Sequence, residues 1–222
     1  MDNQDFEQYA DAKRIVGQVA ATWENAFYEE LKARGLSDYS QVKFLDFGCG
    51  DGRYFPYLMT KGFLAESIYG VEVSQKRIDR CRELGWVNAR VLAIREPLPY
   101  QDGFFDVVNC VEVIEHIPRA DLDFYLGEIA RVMKPRAFLI LTTPNYPIKR
   151  LCDLVDAVVG CRWKRLSDDP THVCRYNSKK LRSVLSGYFS RMSFSPYKEG
   201  FLYKRFKSDS FVHKILAVAS NA

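Results

Sequence analysis

Two short segments of this chain carry residue types and spacings that are typical of chemistry. The first, DFGCGDG at residues 46–52, places glycines at every second position directly after an apolar run. Glycines at this spacing allow a tight turn and let a ligand lie against bare backbone. The second, EVIEHIP at residues 112–118, carries two carboxylates and an imidazole, and the chain has only three histidines in all. We therefore expect a ligand-binding turn followed by a group of acid–base residues.

An alternation of strands and helices must position both segments. Apolar runs predict strands at 42–47, 68–73, 90–94, 105–111 and 137–143, with helices between them at 52–60, 74–84 and 121–133. Ser74 and Asp121 are the expected side-chain caps of the second and third of these helices. Such an alternation is typical of a parallel sheet covered by helices on both faces.

The two ends of the chain depart from this alternation. A helical stripe runs from Phe6 to Leu31 and includes Tyr9 and Trp23, which either close over a ligand or pack on the sheet. A helix at 178–186 precedes strands near 191–197 and 213–219, which we expect as an antiparallel pair at the sheet edge. We predict a single domain over 1–222, made of an N-terminal helical cap (1–40), a cofactor-binding core (41–144), a variable lid (145–176) and a last helix with edge strands (177–222).

Composition limits the function classes. The chain has 222 residues and a net charge of +4 with dispersed basic residues, which argues against a nucleic-acid partner. Its six cysteines form no C-x-x-C pair, as expected for reduced thiols in a cytoplasmic protein. We see no secretory signal, and no apolar stretch approaches the roughly 20 residues that span a bilayer. The sequence leaves the oligomeric state open.

The glycine spacing excludes two common nucleotide sites. A dinucleotide fingerprint needs G-x-G-x-x-G, but here the third glycine comes one residue early and Arg53 occupies its place. No Lys-Ser/Thr pair follows, so the turn is not a P-loop. Glu72, at the end of the second strand, could accept hydrogen bonds from both hydroxyls of a ribose. The sequence therefore predicts a nucleoside ligand more compact than a dinucleotide.

Four segments resemble, in the family's order, those of class I S-adenosylmethionine-dependent methyltransferases. They are FLDFGCGDGRYF, GVEVSQKRIDRCRE, LPYQDGFFDVVNCVEVIEHIP and EIARVMKPRAFLILTTPN, over residues 42–145. DPTHVCRYNSKKLRSVL is similar to a later segment of many small-molecule members. The resemblance implies an α/β, three-layer Rossmann-like fold with a seven-stranded, mostly parallel sheet and a C-terminal antiparallel strand pair. It also implies an enzyme that transfers a methyl group from S-adenosyl-L-methionine directly to an acceptor.

The resemblance implies cofactor contacts residue by residue. Asp46 would orient the turn and the methionine ammonium, and Glu72 would hold the ribose. Val73 would flank the adenine, and Val111 would lie beside the methionine part. The implied cofactor-binding set is Asp46, Gly48, Cys49, Gly50, Gly52, Glu72, Val73, Arg95 and Val111.

The sequence departs from the family's pattern at two places. Ile94 stands where many members carry an acid that binds the adenine amino group, so packing and backbone would hold the adenine. The usual Pro-Gly-Gly before the fifth strand is Pro135-Arg136-Ala137. Because arginine and alanine disfavour positive φ, we expect a different turn there.

Three interpretations of EVIEHIP remain open. In the first, His116 is a general base or orients the acceptor, and Glu115 or Glu112 sets its tautomer. In the second, Glu112, Glu115, His116 and His172 bind a divalent cation, which resembles the site of small-RNA 3′-terminal 2′-O-methyltransferases. In the third, Glu115 and His116 only cap a turn. We adopt the first, with His116, Glu115 and His172 as catalytic residues and no metal.

The segment 145–176 should cover the acceptor. Its apolar stripe of Leu151, Leu154, Val155 and Val158 is flanked by basic residues at 149, 150, 162, 164 and 165. Such a helix either packs as a lid or lies against a membrane surface or a lipid-linked substrate. We predict a small-molecule or lipid- or sugar-linked acceptor. The alternatives are a metal-dependent RNA 3′-terminal 2′-O-methyltransferase and a catalytically silent binding module of the same fold.

Overall fold

The protein folds around one seven-stranded sheet. A computed structural model describes residues 19–160, 169, 171–198 and 213–221. The strands are β1 (Phe44–Phe47), β2 (Ile68–Glu72), β3 (Ala89–Val91), β4 (Phe105–Val111), β5 (Met133–Pro144), β6 (Arg191–Lys198) and β7 (Lys214–Ser220). The predicted strands all form, and their bounds move by a few residues, most at the start of β5.

The sheet has the strand order β3-β2-β1-β4-β5-β7-β6. Strands β1 to β5 pair in parallel, whereas β7 is antiparallel to both of its neighbours, β5 and β6. The predicted mostly parallel sheet with an antiparallel C-terminal pair is confirmed. The last strand of the described chain therefore lies inside the sheet, and β6 forms its edge.

The described residues form six helices. They are α1 (Ala21–Ala33), α2 (Tyr54–Thr60), α3 (Gln75–Glu83), α4 (Leu122–Val132), α5 (Ile148–Gly160) and α6 (Ser178–Leu185). Buried residues of α1, α2 and α3 belong to one hydrophobic cluster, and those of α4 and α6 belong to a second. Neighbouring strand residues such as Phe44 and Leu45 fall into different clusters, because successive side chains point to opposite faces of a sheet. The fold thus has the expected three layers.

Of the two expected side-chain caps, one forms at helix α3 and the other does not form at helix α4. Ser74 caps α3, since its Oγ accepts a hydrogen bond from the Arg77 amide at 3.3 Å. Asp121 precedes α4, but its side chain makes no capping bond and pairs instead with Arg95 at 2.8 Å. The prediction of an Asp121 cap was wrong, because the nearby guanidinium binds the carboxylate.

The turn at Arg136 also differs from the expectation. Arg136 adopts a φ of 70°, so the left-handed conformation forms without a glycine. Its carbonyl accepts a hydrogen bond from Arg34 Nε at 2.7 Å, which ties the turn to the end of α1. This tertiary contact offsets a backbone strain of about 1–2 kcal/mol.

Within the described residues, every helix is too short or too polar to cross a membrane.

Candidate active site

The glycine turn follows β1 and is held against β2. The amides of Gly48 and Cys49 both donate to the Val71 carbonyl, at 2.8 and 3.0 Å. Gly48 has a φ of 76°, and a Cβ there would lie 2.4 Å from Val113 Cγ2. Only glycine satisfies both the conformation and the close approach. The turn therefore presents bare backbone at the carboxyl ends of β1 and β2, where open α/β sheets bind ligands.

Glu72 fixes the far side of this turn. Its Oε2 accepts a hydrogen bond from the Gly50 amide at 3.0 Å, and its Oε1 accepts from the amides of Val73 and Ser74 at 2.9 and 3.2 Å. Burial raises the pKa of this carboxyl, and the charge of Arg77 opposes that rise. Each carboxylate oxygen can accept more than one hydrogen bond, so Glu72 retains acceptor capacity for ligand hydroxyls.

Asp46 lies in β1 directly before the turn and is almost fully buried. Asn109 Nδ2 donates to Asp46 Oδ1 at 2.7 Å, and Trp23 Nε1 donates to Asn109 Oδ1 at 2.8 Å. Asp46 Oδ2 is buried and has no hydrogen-bond partner among the described residues. Burial raises the pKa of Asp46 to about 7, while the bond from Asn109 and the charge of Arg53 oppose the rise.

A cavity of about 420 Å³ opens beside the turn. Its size lies in the range of about 300–1,000 Å³ that is usual for small-ligand sites. Seven of the nine expected cofactor-binding residues line it: Asp46, Gly48, Cys49, Gly50, Glu72, Val73 and Val111.

The other two expected cofactor residues are not among those that line the cavity. A Cβ on Gly52 would meet Cys81 Sγ and Leu84 Cδ1, both at 3.1 Å, so this glycine allows the turn to pack on α3. Arg95 is largely exposed and pairs with Asp121. Ile94 does line the cavity.

An acid–histidine cluster lines the same cavity. Glu115, His116 and His172 each place one possible ligand atom within 4.8 Å of the others, and the two imidazole centroids are 4.9 Å apart. Glu115 and His116 lie in a short 3-10 turn after β4, and His172 comes from the segment after α5. The structure therefore brings together the three residues that the sequence analysis named as catalytic.

His116 has a defined tautomer in this cluster. Its Nδ1 lies 3.0 Å from the Thr171 carbonyl oxygen. Because a carbonyl oxygen only accepts, Nδ1 carries the proton of the neutral ring and Nε2 is the basic nitrogen. The expectation that Glu112 or Glu115 sets the tautomer was wrong, since a backbone carbonyl does so.

Glu115 is fully buried, and Thr143 Oγ1 donates to its Oε2 at 3.0 Å. Burial, together with the nearby charge of Glu112, holds the pKa of Glu115 well above its usual range. Glu112 itself faces a different partner: its carboxylate contacts Lys214 Nζ and accepts a hydrogen bond from Thr142 Oγ1 at 3.0 Å. Of the four cation ligands considered, three therefore converge and the fourth is neutralised by a lysine.

Comparisons with known proteins agree with this geometry. Residues 45–141 match the family model described as a methyltransferase domain. This match, over 97 of the 222 residues, supports a class I, S-adenosylmethionine-dependent methyltransferase domain. A ubiquinone biosynthesis O-methyltransferase of Bradyrhizobium sp. (strain ORS 278) is 31% identical over 142 residues, which is 60% of this chain and 53% of that protein. One from Rickettsia bellii (strain OSU 85-389) is 30% identical over 124 residues, 54% of this chain and 49% of that protein. The chain thus spans about half the length of these curated relatives.

Solved structures share the fold of the methyltransferase domain. A SAM-dependent methyltransferase from Archaeoglobus fulgidus has a TM-score of 0.61 at 18% identity, over 88% of this chain and 93% of that one. A second solved structure concerns the conversion of a disulfide bond into a thioacetal group during echinomycin biosynthesis. It has a TM-score of 0.67 at 16% identity, over 99% of this chain and 92% of that one. At these identities the likeness shows the fold alone.

The cavity is also lined by residues that the sequence analysis did not assign to the site. Arg53 lines the cavity, and its Nε is buried without a hydrogen-bond partner among the described residues. Tyr197 and Lys214, from β6 and β7, line the cavity as well. The position of Arg53 next to the glycines was a usable signal, because a cation there faces whatever the turn binds. No local pattern identifies Tyr197 or Lys214, which reach the site through the strand order.

The lid predicted over 145–176 is described only in part. Helix α5 forms, and Leu151 and Leu154 are exposed on it. The stretch after it supplies Thr171, His172 and Val173 to the cavity wall. The basic positions 162, 164 and 165, and Tyr9 of the N-terminal stripe, lie outside the described residues.

Proposed function

We propose that the protein methylates a hydroxyl group of a small-molecule acceptor, with S-adenosylmethionine as the methyl donor. One observation carries this proposal: His116, whose basic Nε2 is defined by the bond to Thr171, lines the same cavity as the glycine turn and Glu72. The names of the curated relatives, ubiquinone biosynthesis O-methyltransferases, support a hydroxyl acceptor.

The residues of the turn fit the donor. Glu72 would bind the ribose hydroxyls, and Asp46 Oδ2 would bind the ammonium group. Arg53 Nε would donate to the carboxylate of the methionine part. Both buried polar atoms lack a partner among the described residues, as expected of groups that a ligand completes. Bound S-adenosylmethionine supplies an electrophilic methyl group on a sulfonium, so the chain itself contributes mainly alignment and a water-poor site.

A hydroxyl acceptor must lose its proton on transfer. His116 Nε2 would accept that proton, while the Thr171 carbonyl holds the ring and stabilises the proton on Nδ1. Burial, together with the charge of Glu112, holds the pKa of Glu115 well above its usual range, which favours the protonated carboxyl. We infer that it acts as a neutral hydrogen-bonding group rather than as a counter-charge to the imidazolium.

The acceptor end of the cavity is mixed in character. Ile117, Pro118 and Val173 contribute apolar surface beside His116 and His172. Leu151 and Leu154 remain exposed on the nearby helix α5, at 42% and 47%. These features favour an acceptor with an apolar body, and they support a lipid-linked one over a strongly anionic RNA end.

The convergence of Glu115, His116 and His172 favours a second candidate, cation-assisted methylation. The same Nε2 that acts as a base would then be the metal ligand, since a carbonyl-bound Nδ1–H also orients metal-binding histidines. One carboxylate and two imidazoles suit manganese or iron better than magnesium. An RNA-terminal ribose is the acceptor class expected of this alternative.

The test is transfer of a labelled methyl group from S-adenosylmethionine to a panel of hydroxylated aromatic acceptors, with and without chelator. We expect transfer that chelator leaves unchanged and that His116→Gln lowers by about 10²–10⁴ without changing the affinity for S-adenosylhomocysteine. Loss of transfer with chelator and its return with manganese would favour the cation-assisted candidate. Failure to bind S-adenosylhomocysteine would overturn both and leave a silent module.

A further inference from the structure

Trp23 of helix α1 makes a polar contact that its packing does not require. Its ring is fully buried and stacks on Phe27, with centroids 4.6 Å apart, and it is not among the residues that line the cavity. It therefore does not close over the cofactor, which was one of the two expectations for it. Its Nε1 instead donates to Asn109 Oδ1 at 2.8 Å, across the interface between α1 and β4.

Asn109 connects Trp23 to the active site through a second hydrogen bond. It is fully buried, it faces Asp46 in the β1–β4 register, and its Nδ2 donates to Asp46 Oδ1 at 2.7 Å. The indole of Trp23 can only donate, so the amide must turn its oxygen towards Trp23 and its nitrogen towards Asp46. The opposite orientation would place two donors together at one end and two oxygens at the other. Trp23 thus selects the orientation in which Asn109 binds the carboxylate.

We propose that Trp23 and Asn109 are positioning residues for cofactor binding, which hold Asp46 by Oδ1 and leave Oδ2 to bind the ammonium group of the methionine part. This inference rests on the proposed function, because it assigns the partner of Asp46. Oδ2 is buried and has no hydrogen-bond partner among the described residues, and Asp46 lines the cavity. Helix α1 therefore acts on the cofactor site through two hydrogen bonds and without touching the ligand.

The effect of these contacts can be measured through the pH dependence of ligand affinity, because Asp46 ionises. Burial raises its pKa to about 7, and the Asn109 bond and the charge of Arg53 oppose that rise, while the charge of Glu72 adds to it. Among the residues that the structure describes, Cys49, Tyr54 and Cys110 also interact with it. An ammonium ligand binds the carboxylate form, so affinity should increase as pH rises through the Asp46 pKa. Weakening the Asn109 bond raises that pKa further and shifts the increase to higher pH.

The experiment measures the dissociation constant of S-adenosylhomocysteine by calorimetry from about pH 6 to about pH 9, which brackets the Asp46 pKa. Trp23→Phe removes the indole N–H and keeps an aromatic ring in the packing. We expect its affinity to be about tenfold weaker near neutral pH, with a midpoint displaced to higher pH and recovery towards wild type at the alkaline end. Asn109→Leu removes the bond to Asp46 directly and should shift the midpoint in the same direction, and further.

Trp86→Phe is the matched control. Trp86 is also fully buried in the same hydrophobic cluster, and its Nε1 donates to the Ile68 carbonyl at 2.7 Å, away from Asp46. We expect Trp86→Phe to lower the free energy of unfolding about as much as Trp23→Phe does, yet to leave the pH midpoint of binding unchanged.

Three results would overturn the inference. Wild-type affinity of Trp23→Phe and Asn109→Leu at every pH would remove the positioning role. An equal loss of affinity at every pH, with the midpoint unchanged as expected for Trp86→Phe, would show that Trp23 only packs. If the wild type failed to bind S-adenosylhomocysteine, both the proposed function and this inference would be wrong. If the wild type bound it and the variants behaved like the wild type, only this inference would be wrong. Should Trp23→Phe not fold, Asn109→Leu alone decides the outcome.

Discussion

The substitution Glu72→Gln removes one charge and almost no volume from the site. A glutamine keeps one carbonyl oxygen for the amides of Val73 and Ser74, but its NH₂ group then faces the Gly50 amide, donor against donor. The bond from Gly50 to Oε2, 3.0 Å long in the wild type, is lost. The turn that we propose to bind the methionine and ribose parts is consequently no longer held from this side.

The expected loss of affinity follows from the hydrogen bonds involved. A hydrogen bond to a charged group contributes about 1.5–3 kcal/mol, and a bond between neutral groups about half of that. Beside the bond from Gly50, Oε2 has one acceptor position left for a ribose hydroxyl, and the variant replaces this charged oxygen with an NH₂ group that cannot accept. We expect a loss of about 2–4 kcal/mol, or about 30- to 1,000-fold in the dissociation constant of S-adenosylhomocysteine.

Calorimetric titration with S-adenosylhomocysteine measures this loss, and urea unfolding without ligand measures any change in the fold. Glu96→Gln is the control, because Glu96 Oε2 also accepts a backbone hydrogen bond, from the Ala93 amide at 2.9 Å, and Glu96 is not among the residues that line the cavity. It should bind like the wild type. A dissociation constant for Glu72→Gln within about threefold of the wild type would refute the assignment of Glu72 to the ribose.

Three further predictions use other parts of the site. Gly48→Ala should lower the free energy of unfolding by about 1–3 kcal/mol more than Gly62→Ala, because both glycines have positive φ but only at Gly48 would a Cβ collide with Val113; equal losses in urea unfolding would contradict this. His116→Gln should lower the rate of methyl transfer to hydroxyl acceptors and leave transfer to a thiolate acceptor nearly unchanged, since a thiolate has no proton to remove; equal losses in a labelled-methyl assay would argue against a base. Asp46→Asn should remove a decline in stability with pH. Burial raises the native pKa of Asp46 to about 7, well above an unfolded value of about 3.9. The free energy of unfolding of the wild type should therefore fall by about 4 kcal/mol relative to the variant between about pH 4 and about pH 7. If the two plots of unfolding free energy against pH run parallel, Asp46 titrates normally.

Most of the fold, and seven of the nine residues that the sequence analysis assigned to the cofactor, are readable from local sequence as parts of the sheet and of the cavity wall. The period of the apolar residues locates all seven strands, because each strand must bury at least one face whatever its partners are. Gly48, Gly50 and Glu72 are readable because the turn and the carboxylate that holds it lie at strand ends, whose positions the apolar runs already give. Their contacts depend on chain geometry within a few residues.

The remaining features depend on contacts between distant segments. The bond between Trp23 and Asn109 spans 86 residues, and that between Lys214 and Glu112 spans 102. Neither follows from spacing, because both need the order of the strands and the side of the sheet that α1 covers. Arg136 shows the same limit in the backbone, since a tertiary hydrogen bond from Arg34 accompanies a φ that propensity disfavours.

The interior position of strand β7 has a consequence for synthesis on the ribosome. Strand β5 pairs on one side with β4 and on the other only with β7, which follows β6 in the chain. Until β7 has left the exit tunnel, the apolar β5 keeps an unpaired edge, and β6 has no strand to join. Unpaired apolar edges are templates for aggregation. We expect a nascent chain stalled before Lys214 to be the most chaperone-dependent stage of this protein's production.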